Sequence, residues 1–376
     1  MPLTELEQER YSRPLKLPGF SLEVQEKLKS ARVLVIGAGG LGIPVLQYLS
    51  SAGVGKLGIL DFDRIELSNL HRQILYSNED LGKYKSEVAL EKLGKVNPEV
   101  ELEEIRTQLD PENAEEIISQ YDLVVDGSDN FPTRYLVNDV CVILKKTLVY
   151  GSIHQFEGQV SVFNLGDSEG IHSANYRDVL ATPPAPELVP NCEEGGVLGS
   201  LAGIIGSLMA NEVLKLLSGL GEPLSDKLLA YDSSYNDFRV FKIKKDPSNP
   251  LNNLKQDFIQ SFDYPAFCGL KMKDSIQVKN LHSMMESGEE FQLIDVREVD
   301  EYLKDNMNAL NLPLSSLHEK IDQINREGKV VLHCKSGARS RRALEELKTK
   351  HQFKNLFNLE GGIDAWNRLH QFDEHS

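Results

Sequence analysis

The stretch Ala31–Ile36 (ARVLVI) runs directly into GAGGLG at Gly37–Gly42, and Ile43–Ala52 continues with the periodicity of a helix. A β-branched run that ends in a glycine turn and opens a helix is the start of a parallel α/β unit, because only that order lets a phosphate approach bare backbone N–H groups at a helix N-terminus. Gly37 and Gly39 permit the tight turn and the close backbone approach, and Gly42 lets helix and strand pack. A second strand, Lys56–Leu60, ends in Asp61, 24 positions after Gly37 and where a ribose-binding acid falls.

Further apolar strands are expected at Asp122–Asp126, Thr147–Tyr150 and Gly158–Phe163, then a long apolar helix over 198–218 and a strand pair at Lys227–Tyr231 and Phe238–Ile243. The long helix is too short in continuous apolar residues for a bilayer span and reads as core. This is a Rossmann-like, doubly wound α/β domain with a mixed sheet, expected over residues 1–246. The next stretch, 247–273, is rich in Pro, Asn and turn residues and reads as a linker. A smaller α/β domain is expected over 274–376, with strands at Phe291–Asp295, Lys329–His333 and around Asn355–Leu359, and a helix at Arg339–Thr349.

The thirty residues after the fingerprint point away from nicotinamide chemistry. Asp61, Asp63, Ser68, Asn69, Leu70, His71, Arg72 and Gln73 fall in one loop, Lys85 follows, and Asp129-Asn130 stands at the end of a later strand. A carboxylate suits a ribose, two cations suit a triphosphate, and Asp129 can hold Mg²⁺ against phosphate oxygens. The formal net charge of −16 opposes a direct nucleic-acid-binding role. Residues 1–20 contain no continuous apolar run, so neither a signal peptide nor an anchor is expected, and the four cysteines suggest a reducing, cytoplasmic setting.

The order GxGGLG, DFDxIxxSNLxRQ, Lys85 and GSDN resembles the MoeB/ThiF adenylyltransferases, kin to ubiquitin-activating enzymes, across nearly all of residues 10–246. The resemblance implies that ATP adenylates the C-terminal glycine of a ubiquitin-fold sulfur carrier ending in Gly-Gly. It places Gly40, Asp61, Ser68 to Arg72, Lys85 and Asp129-Asn130 around ATP, and it makes Arg13 the arginine that reaches across a homodimer. It also makes Cys192, in a proline-rich loop ahead of the long helix, a candidate for covalent bonding to the carrier. In that family two CxxC pairs hold Zn²⁺. Here those positions are Asn175 and Asp178, then Asn249 and Asn252, a set too hard for that ion, so no zinc is expected and hydrogen bonds should hold the two segments.

Cys141 reads as core, and Cys268 has no assigned role. Cys334 differs. His333-Cys334-Lys335-Ser336-Gly337-Ala338-Arg339 lies between a buried strand and a helix, so the sulfur faces backbone N–H groups, a helix N-terminus and the cations Lys335 and Arg339. Four residues separate Cys334 from Arg339, one fewer than in tyrosine-phosphatase loops, which suits a sulfane sulfur better than a phosphoryl group. With Leu293-Ile-Asp295-Val-Arg297-Glu298 before it and Leu359-Glu-Gly361-Gly362-Ile-Asp-Ala-Trp366 after it, the domain resembles a rhodanese. The resemblance implies a persulfide on Cys334, supplied by a donor such as a cysteine desulfurase. An NAD-dependent oxidoreductase with an appended rhodanese and a non-catalytic recruitment protein are the alternatives. Molybdopterin, thiamine and tRNA thiolation stay open as the pathway served.

Overall fold

The computed structural model describes residues 2–184, 196–253, 258–262, 264–268, 274–335 and 337–373. The chain divides into two compact units, Met1–Leu270 and Lys271–Ser376. In the first, eight strands form one sheet in the order β3-β2-β1-β4-β5-β6-β7-β8. The strands are β1 (Arg32–Ile36), β2 (Lys56–Leu60), β3 (Glu101–Ile105), β4 (Leu123–Asp126), β5 (Thr147–His154), β6 (Glu157–Phe163), β7 (Lys227–Asp232) and β8 (Asp237–Lys242). The strands from β3 to β5 run parallel, and the pairings β5–β6, β6–β7 and β7–β8 are antiparallel.

Burial on both faces explains the unbroken apolar run in β1. Val33 and Val35 enter one core and Leu34 and Ile36 the other, so beyond the exposed Arg32 at its start the strand has no position for a polar residue. The helices here called α1 (Glu5–Arg10), α2 (Gly42–Ala52), α3 (Lys85–Val96), α4 (Phe131–Ile143) and α5 (Gly199–Ser218) belong to this unit. Helix α5 is long and apolar enough to cross a membrane by length and composition. It lies against the sheet instead: a Cβ on Gly158 of β6 would stand 2.3 Å from Ile205, and one on Gly151 of β5 would stand 2.1 Å from Met209 Sδ. Helix α1 carries a capping box between Thr4 and Glu7, and Leu3 and Tyr11 at its two ends are buried.

The strand order reverses at β1 and β4, whose carboxyl ends carry the glycine turn and the Gly127–Asn130 loop. A ligand crevice is expected at that switch point. Strand β3 has no apolar alternation to announce it. It is the sheet edge, where Glu101 and Glu103 pair with Lys56 of β2.

The expected linker from 247 to 273 is corrected. Leu251, Ile259, Tyr264 and Cys268 are buried, and the last three belong to the core that contains α4. The anchor is a buried ion pair. Arg177 donates two hydrogen bonds to Asp139 of α4 at 2.8 and 2.6 Å, and Tyr264 OH donates a third at 3.0 Å. The guanidinium lies over the rings of Tyr135, Phe262 and Phe267 at 4.9 to 5.1 Å. The first unit therefore extends past residue 246.

In the second unit five parallel strands run in the order β11-β10-β12-β13-β9. They are β9 (Ser275–Ile276), β10 (Phe291–Asp295), β11 (Leu310–Asn311), β12 (Lys329–His333) and β13 (Leu356–Leu359), with helices α6 (Ala338–His351) and α7 (Gly362–Asp373). The two-residue strands β9 and β11 carry too little pattern to be read from sequence.

Candidate active sites

The crevice at the switch point is a cavity of about 480 Å³, the size of a small-molecule site. The glycine turn shapes one wall. Gly37 has φ +89°, and a Cβ on Gly42 would stand 1.7 Å from the Gly37 carbonyl oxygen, so neither position takes a side chain without moving backbone. Asp61, at the end of β2, is 7% exposed. Its carboxylate accepts the Ala38 N–H and the Asp63 N–H, both at 2.8 Å. Burial pushes its pKa up, against the pull of Lys85 and those two N–H groups. Lys85 opens α3 with its Nζ 2.8 Å from Asp63 Oδ2.

Gly37, Gly39, Gly40, Asp61, Asp63, Asn69, Arg72, Gln73, Lys85, Asp129 and Asn130 all line this cavity. Asp129 is exposed, and Asn130 caps α4 by accepting the Thr133 N–H at 3.0 Å. Arg72 donates to the Ser68 carbonyl at 3.1 Å. Gln73 Oε1 and Ser128 Oγ are buried with no hydrogen-bond partner, an unmet polar demand in the cavity wall. Gly42, Ser68, Leu70 and His71 are not among the lining residues, and neither is Arg13, which is exposed beside the turn Pro14–Lys16. Cys192 lies outside the described residues.

Several lining groups escaped the sequence reading. Arg134, buried on α4, donates to the Ser128 carbonyl at 2.9 Å and to Tyr150 OH at 3.1 Å, and so fixes the loop that carries Asp129. Its signal was an arginine five residues after Asp129, in the first turn of a helix that is mostly apolar after it. Tyr76 OH donates to the Ala38 or Lys85 carbonyl, 2.8 and 3.0 Å away, which ties the glycine turn to the start of α3. Gln108 to Pro111, beyond the unread β3, and Tyr264 with Pro265, from the expected linker, complete the wall.

Three of the four positions that replace the CxxC pairs meet. Asn249 Nδ2 donates to Asn175 Oδ1 at 3.2 Å and to Asp178 Oδ1 at 2.8 Å, and Asp178 Oδ1 also accepts the Asp246 N–H at 2.9 Å. Asn252 turns away to the carbonyls of Asp246 and Pro247. Among the described residues, no cluster of three or more His, Cys, Asp or Glu suits a metal ion.

The second unit holds a separate site. Cys334 follows β12, 1% exposed, and its Sγ accepts the Gly337 N–H at 3.2 Å. Ser340 Oγ is 3.5 Å from the sulfur and 2.6 Å from Asn358 Oδ1. The loop's carbonyls point the other way: Cys334 O accepts the Ile363 N–H at 2.9 Å and Lys335 O the Asp364 N–H at 3.0 Å, both from the N-terminus of α7. The Gly337 N–H is thus the loop donor that faces the sulfur, an arrangement suited to a sulfur anion. A side chain at Gly362 would collide with the Cys334 oxygen at 2.4 Å. Asp295 and Arg297 form a buried pair at 2.7 Å, while both ring nitrogens of His333 lack a hydrogen-bond partner, Nε2 standing 3.8 Å from Asp295 Oδ2. Burial pushes the His333 pKa down. Arg339, expected to lend charge to the loop, instead donates two hydrogen bonds to Glu301 at 2.6 and 2.7 Å. Lys335 is exposed. Cys141 and Cys268 are buried, and burial pushes the Cys268 thiol up to about 12.

A doubly wound sheet with a phosphate-type crevice, followed by a cysteine loop cradled by two helix ends, is a known pairing. The chain belongs to the ThiF family, whose profile matches residues 11–251, and it carries a rhodanese-like domain over 277–369. Relatives sharing both parts are enzymes. The probable adenylyltransferase/sulfurtransferase MoeZ of Mycobacterium tuberculosis is 41% identical over 99% of this chain and 95% of its own length. The adenylyltransferase and sulfurtransferase MOCS3 of Xenopus laevis is 40% identical over 95% of this chain and 85% of its own. The sulfur carrier protein adenylyltransferase of Thermus thermophilus is 50% identical over 72% of this chain and all of its own. Among solved structures, E. coli MccB with ATP covers 64% of this chain and 74% of its own, with a TM-score of 0.56 and 25% identity.

Proposed function

We propose that this chain uses ATP to adenylate the C-terminal glycine of a ubiquitin-fold sulfur carrier and then thiolates that carboxylate with sulfur held on Cys334. The observation that carries the reading is the presence in one chain of a glycine-walled crevice lined by Asp61, Arg72, Lys85 and Asp129 and of a buried cysteine whose sulfur accepts a loop N–H. The relatives with both domains bear both activities in their names, which sets aside the oxidoreductase and recruitment alternatives.

In the first step the carrier carboxylate, already ionised at pH 7, attacks the α-phosphorus and pyrophosphate leaves, so no side-chain base is required. What the site supplies is position and charge. Asp61 holds the ribose, and Lys85 and Arg72 draw in the phosphates, Lys85 exchanging Asp63 for them. The residues present fit Mg²⁺, since Asp129 offers an exposed carboxylate on the crevice wall and that ion takes one or two carboxylates beside phosphate oxygens. Asp129 would hold the ion there, and it would supply positive charge against the pyrophosphate. In the second step the terminal sulfur of the Cys334 persulfide attacks the acyl-adenylate carbonyl and AMP leaves. A thiolate then attacks Cys334 Sγ, the sulfur–sulfur bond of the acyl disulfide breaks and the thiocarboxylate leaves, a role proposed for Cys192; the disulfide this leaves on Cys334 is reduced by external thiol before the next turnover. Arg13 is proposed to complete the site of the other subunit in a homodimer. The sulfur donor is proposed to be a cysteine desulfurase, and the setting the cytoplasm.

The test pairs two variants with carriers of the molybdopterin, thiamine and tRNA-thiolation types in parallel. Asp129→Ala should lose carrier-dependent ATP–pyrophosphate exchange and keep persulfide formation on Cys334. Cys334→Ser should keep exchange and yield no sulfur-for-oxygen mass gain on the carrier. A mass gain with Cys334→Ser, or normal exchange with Asp129→Ala, overturns the proposal.

A further inference from the structure

The ion pair at the mouth of the second site was not visible in sequence, and it changes which sulfur donors the loop can accept. Glu301 lies on the helical turn Val299–Tyr302, where the Glu298 N–H donates to its Oε2 at 3.4 Å. Both carboxylate oxygens face Arg339, at 2.6 and 2.7 Å. Arg339 immediately precedes Ser340, whose hydroxyl is 3.5 Å from Cys334 Sγ. The other arginine of this region, Arg297, is held by Asp295 and by the Asp305 carbonyl. The guanidinium groups of Arg297 and Arg339 are therefore each matched by a carboxylate, whereas Lys335 of the loop itself is exposed.

Sulfur donors differ in the charge they bring. Thiosulfate arrives as a dianion: the Cys334 thiolate attacks its outer sulfur, the sulfur–sulfur bond breaks, and sulfite leaves with the electron pair. A persulfide arrives as a monoanion: the thiolate attacks its terminal sulfur and the donor thiolate leaves. Both steps end with the same Cys334 persulfide anion, and they differ in the charge that must be gathered at the loop beforehand. An unpaired arginine would favour the dianion most, and a paired one loses most of that preference.

We propose that Glu301 is a donor-selectivity residue, which holds Arg339 in a two-point ion pair and so disfavours dianionic donors relative to monoanionic persulfides. The proposal rests on the reading that Cys334 carries the sulfur. Glu301 touches neither the sulfur nor the donor. It acts through Arg339.

The test is Glu301→Gln in the full chain, since the amide keeps an oxygen for the Glu298 N–H and for one Arg339 hydrogen bond. Sulfur transfer to cyanide is measured with thiosulfate and with cysteine persulfide. Removing one negative charge a few ångströms from a dianion in a half-exposed site should lower KM for thiosulfate roughly tenfold. The kcat should stay within about twofold, KM for cysteine persulfide, which brings half the charge, should fall only about threefold, and both gains should shrink in strong salt. An unchanged ratio of kcat/KM between the two donors overturns the assignment, as does an equal loss of kcat with both, which marks a structural role. If cysteine persulfide loads sulfur onto neither the wild-type chain nor the variant, the reading of Cys334 falls as well. If it loads the wild type and the ratio stays flat, only Glu301 is misassigned.

Discussion

Replacing Lys85 by methionine separates what the lysine does for the fold from what it does for ATP. The ammonium has one protein partner among the described hydrogen bonds, Asp63 at 2.8 Å, and the Asp63 side chain is 53% exposed. Water can take over that carboxylate, and methionine retains the buried stem, so the loss of stability should stay under about 1 kcal/mol. In a unit of this size that is a fall of no more than about 4 °C in Tm. The cost to adenylation should be far greater. A charge-assisted hydrogen bond to phosphate is worth about 1.5–3 kcal/mol net. At 1.36 kcal/mol per decade that is roughly a 10- to 150-fold loss in kcat/KM for ATP. Carrier-dependent ATP–pyrophosphate exchange at subsaturating ATP measures it, beside thermal unfolding of the same preparation. Exchange within twofold of wild type would show that Lys85 serves only to hold Asp63. A large drop in Tm would refute the split between folding and function.

Asn249→Ala should cost about 1–3 kcal/mol in urea unfolding, because it strips buried Asn175 and half-buried Asp178 of a shared donor. Elemental analysis of the wild-type chain should find well under one zinc per chain, and a stoichiometric metal would overturn that. His333 is held neutral by burial, so its folded pKa lies below the ordinary 6.5 and the unfolded chain binds the proton more readily. Stability from this group is complete above about pH 6.5 and is lost as pH falls from there through the lowered value. Unfolding followed by Trp366, the single tryptophan, should show that decline, and His333→Leu should flatten it.

Local pattern carried the parts of this molecule that local physics determines. The run ARVLVI, the glycine turn and the loop from Asp61 to Gln73 each announce themselves within a few residues, and most of that set does line one crevice. What escaped depends on distant partners. Strand β3 is an edge whose glutamates answer Lys56, so its residues carry no apolar alternation. Residues 258–268 read as a linker because proline and polar residues surround them, yet Ile259, Tyr264 and Cys268 find a core beside α4. The charges of Glu301 and Arg339 were plain in the sequence, but they stand 38 positions apart and only the fold joins them. A cation in a sequence motif is a charge available to something, and the structure decides to what.

The Asn175–Asp178–Asn249 closure also determines when and under what conditions this part of the chain can be completed. A clasp of carboxamide and carboxylate groups forms from the chain's own atoms as it leaves the ribosome, without competition for a scarce ion. It offers nothing to a chelator and no sulfur to an oxidant. Peroxide that reaches such a protein would strike working sulfur, which thiols can restore, and leave this clasp intact.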